Sequence, residues 1–239
     1  MELDRRLFSG KVQSSIVYPE IFPIAPDEDV VNLGCGVGPQ AVVYKGSFRK
    51  MVGVDLSRDR LEQSKVLLGE KGVSGYETLC APVEKTGLPE QSFDKALAID
   101  IIEHLPEPSG ILREAFRLLK PGGQLLVSVP AMHDHYTHTL SGIAKLLGRK
   151  TSHLPSGHLD AHNSSNTVSG WEKLVRSAGF TIVRSRASTL FPPLHLYGVP
   201  RFWFSNPVIH AIDRFFCGLP ILKRLGQAYL MVAERPKDA

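Results

Sequence analysis

Three glycines at alternate positions, Gly34, Gly36 and Gly38, follow a short apolar run of Val30, Val31 and Leu33. A second run, Lys50–Val54, ends on a carboxylate, Asp55. A glycine turn of this kind brings a ligand against bare backbone. A Cβ there would block close approach or the φ > 0 conformations that a tight turn needs. An acid after the second strand can accept both hydroxyl protons of a ribose. The spacing is G-x-G-x-G, not the G-x-G-x-x-G of pyrophosphate binders. Together these residues describe a site for a nucleoside that carries no pyrophosphate. Cys35, inside the turn, is read as a small side chain that fits there and not as a nucleophile.

Histidine is the other residue type suited to chemistry here. Six of the nine fall within 131–162: His133, His135, His138, His153, His158 and His162. That segment follows a predicted fifth strand, and His104 follows the fourth. Both therefore stand at the carboxyl edge of the sheet, where open α/β sheets bind ligands. His104 and His133 are the first candidates for acid–base work; the plainer alternative is polar loop or capping histidines. The stretch His133-Asp-His-Tyr-Thr-His138 lacks a recognised ligand spacing, so no metal site is assigned.

The elements that must position these groups can be read from apolar runs and their punctuation. Strands are expected at 29–33, 50–55, 76–80, 95–99, 124–129, 180–187 and 228–233. Helices are expected at 39–47, started by Pro39, and from a Ser57 cap to about Lys71, with Leu61, Lys65 and Leu68 at helical spacing and Gly72 as the stop. Further helices are expected at 108–119 and 167–178, and after an Asn206 cap and first-turn Pro207 to a stop at Gly218, with Val208, Ile209, Ile212, Phe215 and Phe216 on one side. The Lys120-Pro-Gly-Gly turn should separate the first of these from strand 124–129. Strands alternating with helices, on continuous apolar runs, predict an α/β fold: a Rossmann-like, mostly parallel seven-stranded sheet with helices on both faces and an antiparallel last strand. Residues 1–28 read as an N-terminal arm or helix, and 29–239 as a single domain with long inserted loops at 131–166 and 188–226.

Composition sets the outer limits. The chain has 239 residues, 43% hydrophobic and 22% charged, which excludes disorder and a membrane bundle as defaults. No long apolar segment follows the N-terminus and none reaches the length of a bilayer span, so neither a secretory signal nor a transmembrane helix is expected. Three scattered cysteines fit reduced thiols and a cytoplasmic location. The formal charge is +4, concentrated from residue 184 onward, where 8 Lys/Arg face 3 Asp/Glu. Charges this dispersed read first as a solvated face.

Five segments occur in order: Val-Asn-Leu-Gly-Cys-Gly-Val-Gly, Val-Gly-Val-Asp-Leu-Ser, Leu-Pro-Glu-Gln-Ser-Phe-Asp, Ile-Glu-His-Leu-Pro-Glu-Pro and Leu-Leu-Lys-Pro-Gly-Gly. In this order and spacing the chain resembles the class I S-adenosylmethionine (SAM)-dependent methyltransferases, in their small-molecule type-11 branch. The resemblance covers about 29–130 and continues more weakly through 167–187. It implies that Gly34, Gly36 and Gly38 pass under the methionine part of SAM and that Asp55 holds the ribose. It also implies that Leu56 packs on the adenine, with Pro82, Val83 and Glu84 at the adenine edge. Asp100 and Ile101 would border the methionine end, and His104 would face the substrate. Two positions depart from the family. The acid usual two residues before the first glycine is Asn32, which accepts hydrogen bonds but brings no charge. The Asp common near the adenine amino group is Pro82.

The expected activity is transfer of the SAM methyl group to a small-molecule or lipid-like acceptor, with S-adenosylhomocysteine (SAH) as product. The accepting atom stays open between O, N and C. Segment 188–226, with Phe191, Tyr197, Phe202, Trp203, Phe204, Phe215 and Phe216, reads first as a lid or edge element packed on the core. Its sharper readings are an apolar substrate pocket or peripheral contact with a membrane. A non-catalytic SAM-binding or SAH-binding regulatory module is the main alternative. A nucleotide-sugar or NAD oxidoreductase is disfavoured by the missing half of the dinucleotide turn. Nucleic acid is not an expected partner: Asp100-Ile-Ile-Glu follows strand four where base-flipping methyltransferases carry an Asn/Asp-Pro-Pro-aromatic pattern.

Overall fold

Neighbouring residues on each central strand go to opposite cores, and this alternation organises the molecule. Val30, Leu97, Leu126 and Leu230 point to one face of the sheet, while Val31, Ala96, Leu125 and Met231 point to the other. The computed structural model describes residues 8–9, 11–12, 15, 17–131, 166–190 and 206–238. Its strands are β1 (Asp29–Leu33), β2 (Lys50–Asp55), β3 (Tyr76–Cys80), β4 (Phe93–Ile99), β5 (Leu119–Pro130), β6 (Thr181–Ala187) and β7 (Ala228–Glu234). They form one seven-stranded sheet in the order β3-β2-β1-β4-β5-β7-β6. All pairs are parallel except those of β7, which runs antiparallel to both β5 and β6. The Rossmann-like sheet and its antiparallel last strand are as the sequence predicts. The order reverses between β1 and β4, the place where such sheets open a crevice for ligands.

The helices are α1 (Tyr18–Ile21), α2 (Pro39–Val43), α3 (Arg58–Glu70), α4 (Pro108–Leu118), α5 (Val168–Ser177) and α6 (Pro207–Cys217). One face of the sheet is covered by α4 and α5 through Ile111, Leu112, Ala115, Leu118, Trp171 and Val175. The other is covered by α1, α2 and α3 through Tyr18, Ile21, Phe22, Ala41, Tyr44, Leu67 and Leu68. The Tyr44 hydroxyl donates to the Phe22 carbonyl at 2.8 Å and ties the N-terminal segment to α2. Among the described residues no helix is long and apolar enough to cross a membrane.

Several boundaries differ from the sequence reading, for identifiable reasons. Helix α2 ends at Val43, four residues early, in a turn closed by Ser47 N–H to Tyr44 O. On α3 the buried stripe is Leu61, Ser64, Leu67 and Leu68. Lys65 stands outside it and pairs with Glu62 at 2.7 Å. Strand β5 starts at Leu119, before the Lys-Pro-Gly-Gly segment, not after it. Phe93 pairs with Leu119 and Lys95 with Gln124, so the intervening residues bulge from the ladder. They stay attached because Gly122 N–H donates to Arg235 O and Arg235 N–H to Gly123 O.

The largest difference concerns α6. It forms as predicted, with the Asn206 side chain accepting from Val208 and Ile209 N–H. Its apolar row does not pack on the core: Val208, Ile212, Phe215 and Phe216 stand exposed, Phe215 at 67%. The polar side of the helix makes the attachment instead. Asp213 accepts from Leu190 N–H at 2.9 Å, Arg214 pairs with Glu20 at 3.0 Å, and Cys217 is buried beside Asp213.

Candidate functional site

The glycine turn is built by the register of β1 on β2. Gly34 and Cys35 N–H both donate to the Val54 carbonyl, and Gly38 N–H closes on Cys35 O at 2.9 Å. Two of the glycines are required for different reasons. At Gly34, with φ +73°, a Cβ would lie 2.6 Å from Ile101 Cγ1, so the turn and the β4 end are in direct contact. At Gly36, with φ +53°, a Cβ would meet nothing within 4 Å. Gly36 therefore opens on free space, and its absence of side chain is what a close ligand needs.

Asp55 faces this opening from the end of β2. One of its oxygens accepts Gly36 N–H at 2.9 Å and the other accepts Ser57 N–H at 2.9 Å. Each carboxylate oxygen has a second lone pair, so the pair of oxygens can still accept two hydroxyl protons. The next residue, Leu56, is 67% exposed, an apolar flank that a flat heterocycle would cover.

The remaining sequence candidates divide by direction. Asn32, Cys35 and Val83 are buried, so only their backbone can reach a ligand. The Asn32 amide donates to Gln40 Oε1 at 3.3 Å, within the core. Burial pushes the Cys35 thiol up to about 12, which agrees with its reading as an inert small side chain. Pro82 is exposed on the loop after β3, and Glu84 packs along Gly110 at the start of α4. That loop is pinned by Glu114 of α4. Its Oε1 accepts Thr86 N–H and Oγ1–H at 2.9 and 2.6 Å, while Arg117 pairs with it at 2.8 Å. Burial works against the Glu114 charge, but the Arg117 and Thr86 hydrogen bonds outweigh it and hold the carboxyl below its ordinary range.

Across the crevice from Asp55 stand Asp100 and Ile101, directly after β4. Asp100 is exposed and held at φ +49°, uncommon for a residue with a side chain. Its Oδ1 accepts from Ser128 Oγ at 2.6 Å. A short 3-10 turn, Ile102–His104, then sets Glu103 inside the protein and leaves His104 partly open. The two side chains lie 4.0 Å apart, His104 Nε2 to Glu103 Oε1. Burial, with the neighbouring Asp100 charge adding to it, pushes the Glu103 carboxyl up to about 8. His133 and the rest of the histidine cluster lie outside the described residues.

Three residues of this edge escape the sequence reading: Tyr18, Glu103 and Ser128. Ser128 carried a signal, since it is the one polar residue in the run Leu125-Leu126-Val127-Ser128-Val129. Glu103 sits inside the Ile-Glu-His segment without an assigned role. Tyr18 had no signal, because its position depends on how the N-terminal segment folds back under β4 and β5.

This crevice suits SAM on its own terms: one carboxylate, Asp55, with lone pairs left for the ribose hydroxyls, bare backbone at Gly36, an exposed leucine and an acid beyond. Comparison with known proteins agrees. Residues 31–127 match the family model described as a methyltransferase domain. Over 129 residues the chain is 34% identical to a ubiquinone biosynthesis O-methyltransferase of Pseudomonas fluorescens (strain SBW25), covering 51% of this chain and 54% of that protein. The counterpart from Pseudomonas putida (strain GB-1) is 32% identical over 102 residues, 41% and 43% of the two chains. The chain thus spans about half the length of the curated relatives it matches. A SAM-dependent methyltransferase from Thermotoga maritima superposes with a TM-score of 0.64 at 20% identity, over 96% of this chain and 93% of that one. The geranyl diphosphate C-methyltransferase of Streptomyces coelicolor A3(2), solved with S-adenosyl-L-homocysteine, gives 0.64 at 16%, over 96% and 77%.

The fold is that of the class I SAM-dependent methyltransferases. Within it, residues 31–127 are the part that matches the methyltransferase domain model.

Proposed function

We propose that this protein transfers the methyl group of SAM to a hydroxyl of a small, lipid-like acceptor. The observation that carries the reading is the crevice at the β1–β4 switch point, with Asp55 on one wall and Asp100 and His104 on the other. SAM supplies an activated sulfonium methyl, so the protein's main task is to align acceptor and donor. In this reading Asp55 holds the ribose and Gly36 lets the cofactor lie on backbone. Leu56 covers the adenine, with Pro82 and the backbone of Val83 at its edge, and Ile101 bounds the methionine end.

His104 takes the proton of the acceptor hydroxyl as its oxygen accepts the methyl group. Glu103 is buried beside it, 4.0 Å from the imidazole, and burial pushes its own carboxyl up to about 8. His133 is the second candidate for this role. The lipid-like acceptor is supported by the names of the Pseudomonas relatives and by the exposed apolar face of α6. Val208, Ala211, Ile212, Phe215 and Phe216 line a groove of about 490 Å³ there. Peripheral contact with a membrane through 188–226 belongs to the same reading. So does a cytoplasmic location, which three free cysteines support.

The test is a labelled-methyl assay with hydroxylated aromatics bearing or lacking a prenyl tail. Tailed acceptors should be methylated in preference. His104→Ala should lower kcat by about 10²–10⁴ while SAH affinity holds. Absence of label transfer to every hydroxyl acceptor, with SAH bound normally, counts against the enzyme reading in favour of a binding module.

A further inference from the structure

Strand β2 carries a glycine, Gly53, in its interior, where neither a turn nor a left-handed backbone asks for one. Such a residue weakens a strand and marks the close approach of other atoms. The atoms here are those of Tyr76. It opens β3 opposite Met51, and Gly53 is the next residue of β2 on the same face. A Cβ on Gly53 would lie 2.0 Å from the Tyr76 hydroxyl oxygen and 2.7 Å from its Cζ. It would also lie 2.9 Å from Cys35 Sγ. The phenol tip and the sulfur of the glycine turn therefore share the space above Gly53.

The same hydroxyl reaches the far end of the turn. A Cβ on Gly38 would be 3.2 Å from it and 3.0 Å from Leu68 Cδ1 of α3. The two halves of the turn are thus held differently. Gly34 and Cys35 N–H bond to Val54 O, and Gly36 N–H bonds to Asp55. Gly38 N–H bonds back to Cys35 O, inside the turn itself. Beneath this second half lie Tyr76 and Leu68, and the support is packing. The Tyr76 hydroxyl is buried and makes no hydrogen bond of ordinary geometry, so its oxygen acts by the space it fills.

We propose that Tyr76, admitted by the missing side chain of Gly53, is a positioning residue for the cofactor. Its phenol sets the height of Cys35–Gly38 above the sheet, and with it the seat of the methionine part of SAM. Tyr76 touches no ligand. The inference rests on the cofactor reading above.

Calorimetric titration with SAH and with 5′-methylthioadenosine, at a temperature where each variant is folded, tests it. The second ligand keeps the nucleoside that Asp55 holds and lacks the amino-acid end. Tyr76→Leu removes the support; it should weaken SAH by about tenfold or more and leave methylthioadenosine within about threefold, the order expected when a binding surface is slightly misplaced. Gly53→Ala drives a methyl group against the phenol and Cys35 from below, and should give the same selective loss. It carries the test if the leucine form does not fold. Tyr76→Phe keeps the ring, and SAH should bind within about threefold of the unaltered protein. In the double variant Gly53→Ala, Tyr76→Leu the losses should not add, because the nearest contact of the new methyl group is gone. A merely structural role lowers Tm and leaves both ligands bound as before; that result in either folded single variant overturns the proposal. Equal weakening of both ligands also overturns it, since the effect then passes through Asp55 and not through the turn. Additive losses in the double variant overturn the pairing of Gly53 with Tyr76. Failure of the unaltered protein to bind either ligand overturns the cofactor reading itself.

Discussion

Replacing Asp55 by Ala should remove most of the nucleoside affinity while leaving a folded protein. The Asp55 carboxylate already accepts Gly36 and Ser57 N–H, and its remaining lone pairs are those offered to the ribose. Hydrogen bonds to a charged group contribute about 1.5–3 kcal/mol each, so two at the lower end come to about 3 kcal/mol, or roughly 100-fold in Kd. Thermal unfolding reads this directly. At SAH equal to about 100 times the unaltered protein's Kd, binding adds about 2.7 kcal/mol. For a domain of this size that is a rise in Tm of roughly 5–11 °C. With a 100-fold weaker site the same concentration adds about 0.4 kcal/mol, or roughly 1 °C. Asp55→Asn, which keeps one acceptor oxygen, should fall between. A full Tm rise in the Ala variant would refute the ribose assignment, since among the described residues Asp55 is the acid whose side chain bonds Gly36 N–H.

Three other outcomes follow from the geometry. Gly36→Ala puts a methyl into open space at φ +53°, so it should cost about 1–2 kcal/mol of stability but weaken SAH by about tenfold or more; unchanged SAH binding by calorimetry would place the cofactor elsewhere. Glu103 should make stability fall with pH. Between about 4.5 and about 8 the unfolded chain loses this proton and the folded one keeps it, so stability is full below 4.5 and declines until pH passes 8. Denaturant titrations of Glu103→Gln across that range should show a flatter profile, and parallel profiles would contradict burial as the cause. At pH 8, iodoacetamide should alkylate exposed Cys80 well before Cys35 and Cys217, whose thiols burial pushes up to about 12; peptide mass spectrometry gives the order.

The parts of this molecule legible in the sequence are those set by local chemistry. Gly34, Gly36 and Gly38 announce a turn, Ser57 and Asn206 announce caps, and Asp55 stands at a strand end. Each does in the structure what its neighbours in the chain imply. What escaped depends on tertiary partners. Lys65 had helical spacing, but Ser64 takes the inward place by donating to Leu61 O. The Lys-Pro-Gly-Gly break became a bulge because Arg235, more than a hundred residues on, holds it in the ladder. The apolar row of α6 predicted burial, yet Asp213 and Arg214 orient the helix the other way. Tyr18 is buried against the sheet only after the N-terminal segment folds onto it.

The place of β7 has a consequence for how the chain matures on the ribosome. It is last among the strands in sequence, yet it lies between β5 and β6. From the emergence of Pro130 until Ala228 follows, β5 waits with one side unpaired. At about 5–20 residues per second that interval is roughly 5–20 s. A nascent chain in this window presents an apolar ribbon, Leu125–Val129, with open amide and carbonyl groups, a template for strand addition by another molecule. Holding chaperones, slow codons or crowding by sister chains on one message would therefore act most strongly on this stretch of synthesis.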